Sequence, residues 1–367
     1  LRRILEALIK LKKLKKLRFK FFLILLLSSS GYIHASENSS QTDSSESTNT
    51  KTEINSFIDH HLEDSYTFTI WHAMGIEFPL PIILIDEGLH VFSSSKFHHG
   101  EKVVESKGNF YTLYHNKIYR TNASGELNFD EEHHPTNAKP LDLSITKNVF
   151  SIFIFSLLIF YLFTKFAKSY SQGAVPNKLG LFLEPLVLFV RDEIAIPNIG
   201  EKHYRKYMGY LLTIFFFIWI INLAGLTPLG INVTGNIAVT FALALMTFLI
   251  TQFTSKKEYW KHIFWMPGVP IPMKFILAPI ELLGVFIKPF ALMIRLYANM
   301  TAGHIVIMSL IGLLYIFENW FAKGAFLGLT LFLSIIELLV AFLQAYIFTM
   351  LTALYFGGAV AEHVHHD

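Results

Sequence analysis

The sequence predicts an all-α polytopic membrane protein. About five transmembrane helices and one interfacial helix are expected, the last two spans forming a long tilted hairpin, after a small β-containing extracytoplasmic module. Three observations predict it. Of 367 residues, 52% are hydrophobic, 35 are Phe and the mean hydropathy is +0.43, values of a chain with much lipid-facing surface. Uncharged stretches long enough to cross a hydrocarbon core of about 30 Å recur through the second half. Within 65–143, by contrast, short β-like runs alternate with turn residues. The net charge of +3 gives no sign of nucleic-acid binding. The absence of cysteine excludes disulfides, Cys-ligated zinc and Cys nucleophiles.

Residues 1–36 read as a signal peptide. A long basic region from Arg2 to Lys20 precedes the short apolar run Phe21–Leu27, and small residues follow to Ala35-Ser36. Residues 37–52 are nearly devoid of apolar side chains and read as a disordered linker. A short helix is expected at Glu53–Glu63. It opens an extracytoplasmic module, 53–145, in which Thr67–Trp71 and Ile82–Ile85 are β-like and Asn109–Tyr114 pairs with Lys117–Thr121 across His115-Asn116. The pairs His60-His61, His98-His99 and His133-His134 read as exposed polar residues. Adjacent strand residues point to opposite faces, so no metal site is expected.

The membrane domain is expected over 146–362. Asn148–Thr164 is the first span, and Lys165, Lys168 and Lys178 mark its cytoplasmic end. Leu179–Ile196 mixes leucines with Glu184, Arg191, Asp192 and Glu193, as in an interfacial helix. From Tyr207 to Ser255 no side chain is formally charged. That is too long for one crossing, and Thr227-Pro228-Leu229-Gly230 divides it into spans near 207–225 and 233–254. Lys274–Phe317 is helical in character and would be about 65 Å long, twice the hydrocarbon core, so it must tilt steeply or bend at Pro279 and Pro289. Glu318–Gly324 is expected to break the chain before a last helix to Ala361, leaving 363–367 as a cytoplasmic tail.

Arg295 lies inside the long apolar stretch. Its guanidinium cannot shed a proton, and a cation at that depth costs at least about 2.5 kcal/mol. Folding the last two segments about a turn near Trp320 pairs Arg295 with Gln344 and His304 with Glu337, both from the same centre. Asn299 is one turn from Arg295 on the same face, while His304 falls on nearly the opposite face, about 13 Å further out. A His/carboxylate pair suits a proton relay in a water-filled path. A permanent cation suits a barrier to leakage and a docking point for a partner's carboxylate. Glu281 and Lys288 read equally as lining of a path toward the cytoplasm and as an interfacial ion pair. Asn222 reads as lining of the outer path, or as an interhelical hydrogen bond.

Taken together, Lys288-Pro289, Arg295-Leu296, Asn299, Gly303-His304, Glu337, Gln344–Phe348 and Leu351-Thr352, with Asn232–Asn236, resemble subunit a of F-type ATP synthases. The resemblance covers about 145–362. The signal peptide and His-rich module look like the extended, Bacteroidetes-like bacterial form. The resemblance implies a stator subunit of the inner membrane that stands beside a ring of c subunits, with b-type peripheral stalk subunits and membrane lipid as further neighbours. It implies two half-channels for protons rather than sodium, no cofactor, and no catalysis by the chain alone. Arg295 would be the essential arginine with Gln344 beside it, and His304 and Glu337 would line the outer half-channel. Some relatives carry an acid and a His in the reverse order at these two positions. Two other readings need different features. A secondary transporter binding an anion at Arg295 needs inverted repeats, and an intramembrane metalloenzyme needs several ligands at one depth; neither pattern is present.

Overall fold

A computed structural model describes residues 64–71, 76–131, 134–171, 180–227, 231–266, 269–317 and 319–361. The signal peptide, the linker, the helix expected at 53–63 and the tail at 363–367 lie outside the described residues. The chain forms two compact units, one holding Ser65–Lys147 with Ala224–Ile231 and the other Asn148–Leu223 with Asn232–Asp367.

In the first unit, β1 (Thr67–Trp71) and β2 (Ile76–Pro79) pair antiparallel. β3 (Pro81–Ile85) lies between β4 (Leu89–Ser93) and β8 (Leu141–Asp142). β6 (Asn109–Tyr114) lies between β5 (Val104–Ser106) and β7 (Lys117–Thr121). The period-2 alternation of β3 and β4 turns Ile82, Leu84, His90 and Phe92 inward. They join Tyr66, Phe97, Val104, Tyr111 and Ile118, or in the case of His90 meet the Tyr111 ring edge-on. The β6–β7 turn is His115-Asn116, as expected, with φ of 45° and 51°. Two consecutive left-handed residues match the strand twist of a two-residue hairpin. Asp86-Glu87-Gly88 makes the β3–β4 turn, and Arg120 of β7 binds both acids, at 3.3 Å to Asp86 and 3.0 Å to Glu87.

The second unit is helical, and five helices of the described chain are long and apolar enough to cross a membrane. α1 (Lys147–Ser171) exposes Phe153, Leu157 and Phe160, as a lipid-facing span does. α2 (Gly180–Phe189) runs through a π-turn at Val190–Ala195 into α3 (Ile196–Ile199). α4 (Tyr204–Gly225) and α5 (Ile237–Thr254) are the split halves of the long uncharged stretch. Asn236 caps α5 by accepting from the Ala238 amide at 2.9 Å. The short α6 (Lys257–Phe264) leads to α7 (Ile271–Ile316) and α8 (Trp320–Val360). α8 packs on α7, α5 and α3. Val190, Ile194, Leu211, Phe215, Phe348 and Phe356 fill the core between them.

α7 is one continuous helix of 46 residues with Pro279 and Pro289 inside it, and one expected boundary changes. Breaking the helix in hydrocarbon would orphan several backbone groups, whereas each proline removes a single bond. α8 begins at Trp320, and Gly324 lies within it. The break is only Phe317–Asn319, because the Asn319 side chain accepts from the Phe321 amide at 3.0 Å and caps the new helix.

Candidate functional site

Along α7 two faces differ sharply. Leu292, Met293, Leu296 and Met300 are buried, while Ala291, Arg295, Ala298 and Ala302 are exposed. With Gly284, the exposed set recurs at helical spacing and forms one strip. Arg295 stands in that strip together with one other exposed cation, Lys288, two turns earlier. Large apolar residues that face outward, Phe286, Phe290, Ile294 and Ile305, flank it. The guanidinium is therefore open on one side of an otherwise apolar span. Tyr355 of α8 lies within its electrostatic reach.

Behind the strip, α7 and α8 bring together the remaining polar residues. The Asn299 amide donates to Gln344 Oε1 at 2.8 Å. So it is Asn299, one turn from Arg295, that meets Gln344, whereas Arg295 was expected to pair with it. Further along, a Cβ on Gly303 would meet the Glu337 carboxyl group. The Glu337 carboxyl thus lies against the residue before His304. Gln344, Glu337 and His304 are buried, at 3%, 7% and 9% exposure. Gln344 Nε2, Glu337 Oε1 and His304 Nε2 have no hydrogen-bond partner among the described residues. Polar atoms buried in that way are ordinarily satisfied by water. Three along one helix pair are what a hydrated path needs.

Asn222 is buried, and its Oδ1 accepts from the hydroxyl of Thr234, in the turn before α5, at 2.7 Å. Glu281 and Lys288 form no pair among the described residues. Glu281 lies 4.0 Å from His262 Nδ1 of α6. Lys288 sits over the Tyr355 ring, 5.8 Å from its centre. Lys288 also lines a cleft of about 320 Å³ with Asn198, Thr251, Gln252, Tyr259 and Tyr355. Gln252 Oε1 is buried there without a partner among the described residues. Reading the sequence missed this cleft. Its signals in the sequence were Lys288, read as lining of a path toward the cytoplasm or as an ion-pair partner, and Gln252, an amide near the end of an apolar helix. Among the described residues no cluster of three or more His, Asp or Glu is placed to hold a metal ion.

Comparison with known proteins adds two family matches. Residues 149–357 match the model of the ATP synthase A chain, and residues 57–143 match a domain of unknown function (DUF8433). An ATP synthase subunit a of Anaeromyxobacter sp. (strain Fw109-5) is 42% identical over 261 residues, 69% of this chain and 61% of that protein. An ATP synthase subunit a 2 of Chlorobaculum tepidum is 43% identical over 249 residues, 65% of this chain and 70% of its own length. The Myxococcus xanthus subunit a is 43% identical over 233 residues, 62% and 76%.

Proposed function

The chain belongs to the ATP synthase A chain family, and from this premise we propose that it is the proton-translocating stator subunit of the membrane sector, with Arg295 acting on a rotating c ring. One observation carries the assignment of Arg295: a permanent cation stands exposed on the small-residue strip of a 46-residue apolar helix. Alanines let a partner helix approach the backbone closely. The charge gives an acidic group on that partner something to bind. A ring carboxylate arriving at Arg295 loses its proton and is held by the guanidinium. It is reprotonated from the other side after the ring moves on. Because the arginine stays charged throughout, no proton passes straight across beside it.

Two paths serve that exchange. His304, Glu337 and the Gln344 amide mark the outer one, where orphaned polar atoms line the α7–α8 hairpin. The cleft at Lys288, Tyr355, Gln252 and Tyr259 serves the inner one. Glu281 stands at its rim beside His262. Asn222 holds the segment after α4 through Thr234 and has a positioning role. Each proton passing inward contributes about 2.3 kcal/mol per 100 mV of membrane potential.

The remaining parts follow from the same reading. A c ring covers the Arg295 face, b-type stalk subunits hold the chain against it, and the 53–145 module lies outside the inner membrane of an extended, Bacteroidetes-like form. Lysines after α1 and around α6 support a cytoplasmic location for those ends. The test is Arg295→Ala in the assembled complex. ATP-driven acidification of inverted vesicles is expected to fall to background while the c ring still co-purifies. Proton pumping that persists at a tenth of wild type or more overturns the assignment.

A further inference from the structure

On α7, Lys288 at the cleft and the guanidinium-bearing Arg295 are seven residues apart, two turns or about 10 Å. The six residues between them, Pro289 to Ile294, are all apolar. α7 therefore offers no group able to carry a proton from one to the other. α8 offers one. Of its three residues on the cleft, Leu354, Tyr355 and Gly358, only Tyr355 has a polar side chain. The Lys288 ammonium lies over its ring, 5.8 Å from the centre, and Arg295 lies within its electrostatic reach. One side chain thus interacts with both cations that bound the apolar gap. Its hydroxyl is also uncommitted. Tyr355 is half-buried, yet it makes no hydrogen bond among the described residues. A buried tyrosine hydroxyl ordinarily finds a partner, as that of Tyr210 does in Thr247, at 3.0 Å.

We propose that Tyr355 relays protons across this gap, between a ring carboxyl at Arg295 and water in the cleft, a role that rests on that of Arg295 beside a c ring. In the inward direction the phenol O–H bond breaks and its proton passes to a cleft water. The phenolate oxygen then takes the proton of the ring carboxyl. The O–H bond re-forms, and the carboxylate is left to the guanidinium. ATP-driven pumping runs the same two transfers in reverse. Electrostatics favours this order. Between two fixed cations a transient anion is attracted from both sides, whereas a hydronium is repelled from both. Gln252 Oε1, buried in the same cleft without a partner among the described residues, is an acceptor for the water that carries the proton on.

The test is Tyr355→Phe in the assembled complex, which removes the hydroxyl and keeps the ring under Lys288. ATP-driven acidification of inverted vesicles is expected to fall at least fivefold while the c ring co-purifies. Gln252→Cys in the same chain is expected to react with a water-soluble thiol reagent as fast as Gln252→Cys alone, so the cleft keeps its shape. The residual pumping is expected to be slowed more by heavy water than wild-type pumping is, because an unassisted proton transfer then limits it. A merely structural tyrosine would not move that ratio. Tyr210→Phe is the control, since it removes a hydroxyl already bound to Thr247, and pumping is expected to stay within twofold of wild type. A smaller fall in Tyr355→Phe overturns the relay. So does a loss with an unchanged heavy-water ratio, a loss with a changed thiol rate, or a matching loss in Tyr210→Phe. Arg295→Ala separates the two roles. If it pumps, the role of Arg295 falls; if it is silent while Tyr355→Phe pumps normally, the relay alone falls.

Discussion

Gly303 is held to glycine by the carboxyl group of Glu337, which occupies the space a Cβ would take. Overfilling a packed site costs about 1–3 kcal/mol, and here the strain falls on a group assigned to the proton path. Gly303→Ala is expected to lower ATP-driven pumping several-fold without loss of the complex. Glu337→Asp, shorter by one methylene, is expected to restore part of it in the double variant. Additive losses in a double-mutant cycle would show that the two positions act independently. Asn299 poses the complementary case. Its amide is the one hydrogen-bond donor to Gln344 Oε1 among the described residues, and Gln344 Nε2 already has none. Asn299→Ala leaves the whole buried amide dependent on water, at a cost of about 1–3 kcal/mol. Thermal denaturation of the purified complex is expected to move down accordingly. In the first unit, Arg120 beside Glu87 holds that carboxyl below its ordinary value of 4.5. A depressed carboxyl stabilises the fold at higher pH and loses that contribution as pH falls through its folded value. Hydrogen-exchange protection around the β3–β4 turn should therefore hold from pH 7 to about 5 and weaken below 4.5. Arg120→Met is expected to flatten the profile.

Elements were legible where local chemistry decides them. His115-Asn116 between two β-like runs names its own turn, because side chains that tolerate positive φ sit where the hairpin needs them. Charged residues marked the starts of α1 and α4 and the end of α5, and Thr227-Pro228-Leu229-Gly230 divided α4 from α5, while α1 runs on to Ser171, past the expected end at Thr164. What the sequence hid were choices made by the environment. α7 runs unbroken through Pro279 and Pro289, since hydrocarbon penalises an opened backbone more than a missing bond. Gly324 read as a break, although Asn319 five residues earlier was the true cap. α8 and α3 give this scale its own prediction. A Cβ on Gly357 would strike the Asn198 carbonyl of α3, while one on Gly358 would meet nothing within 4 Å. Gly357→Ala is expected to lower the yield and thermal midpoint of the complex, and Gly358→Ala to leave both unchanged. Equal behaviour of the two would mean that α3 moves freely against α8.

At the scale of the whole molecule, the sequence displayed the charged and amide residues of the outer path but not the cleft. Arg295, His304, Glu337 and Gln344 stand out because polar residues are rare in apolar helices, and a hairpin with one turn fixes their partners to within a helical turn. The cleft needs α3, α5, α6 and the α7–α8 hairpin to converge, and no pattern along the chain encodes that. It makes a prediction that depends on sidedness rather than on any single contact. If the cleft is the inner access path, a water-soluble thiol reagent should reach Gln252→Cys from the cytoplasmic side and stop pumping there. Inverted vesicles present that side to the medium, and right-side-out vesicles hide it. Labelling in the first and none in the second, with ATP-driven acidification lost in proportion to labelling, is the expected outcome. Lys288→Met, which removes the cleft's cation but keeps most of its volume, should slow pumping without uncoupling it, because proton entry and not the Arg295 barrier is what it changes. Uncoupled leakage in Lys288→Met would instead place the barrier in the cleft and remove from Arg295 the role proposed for it.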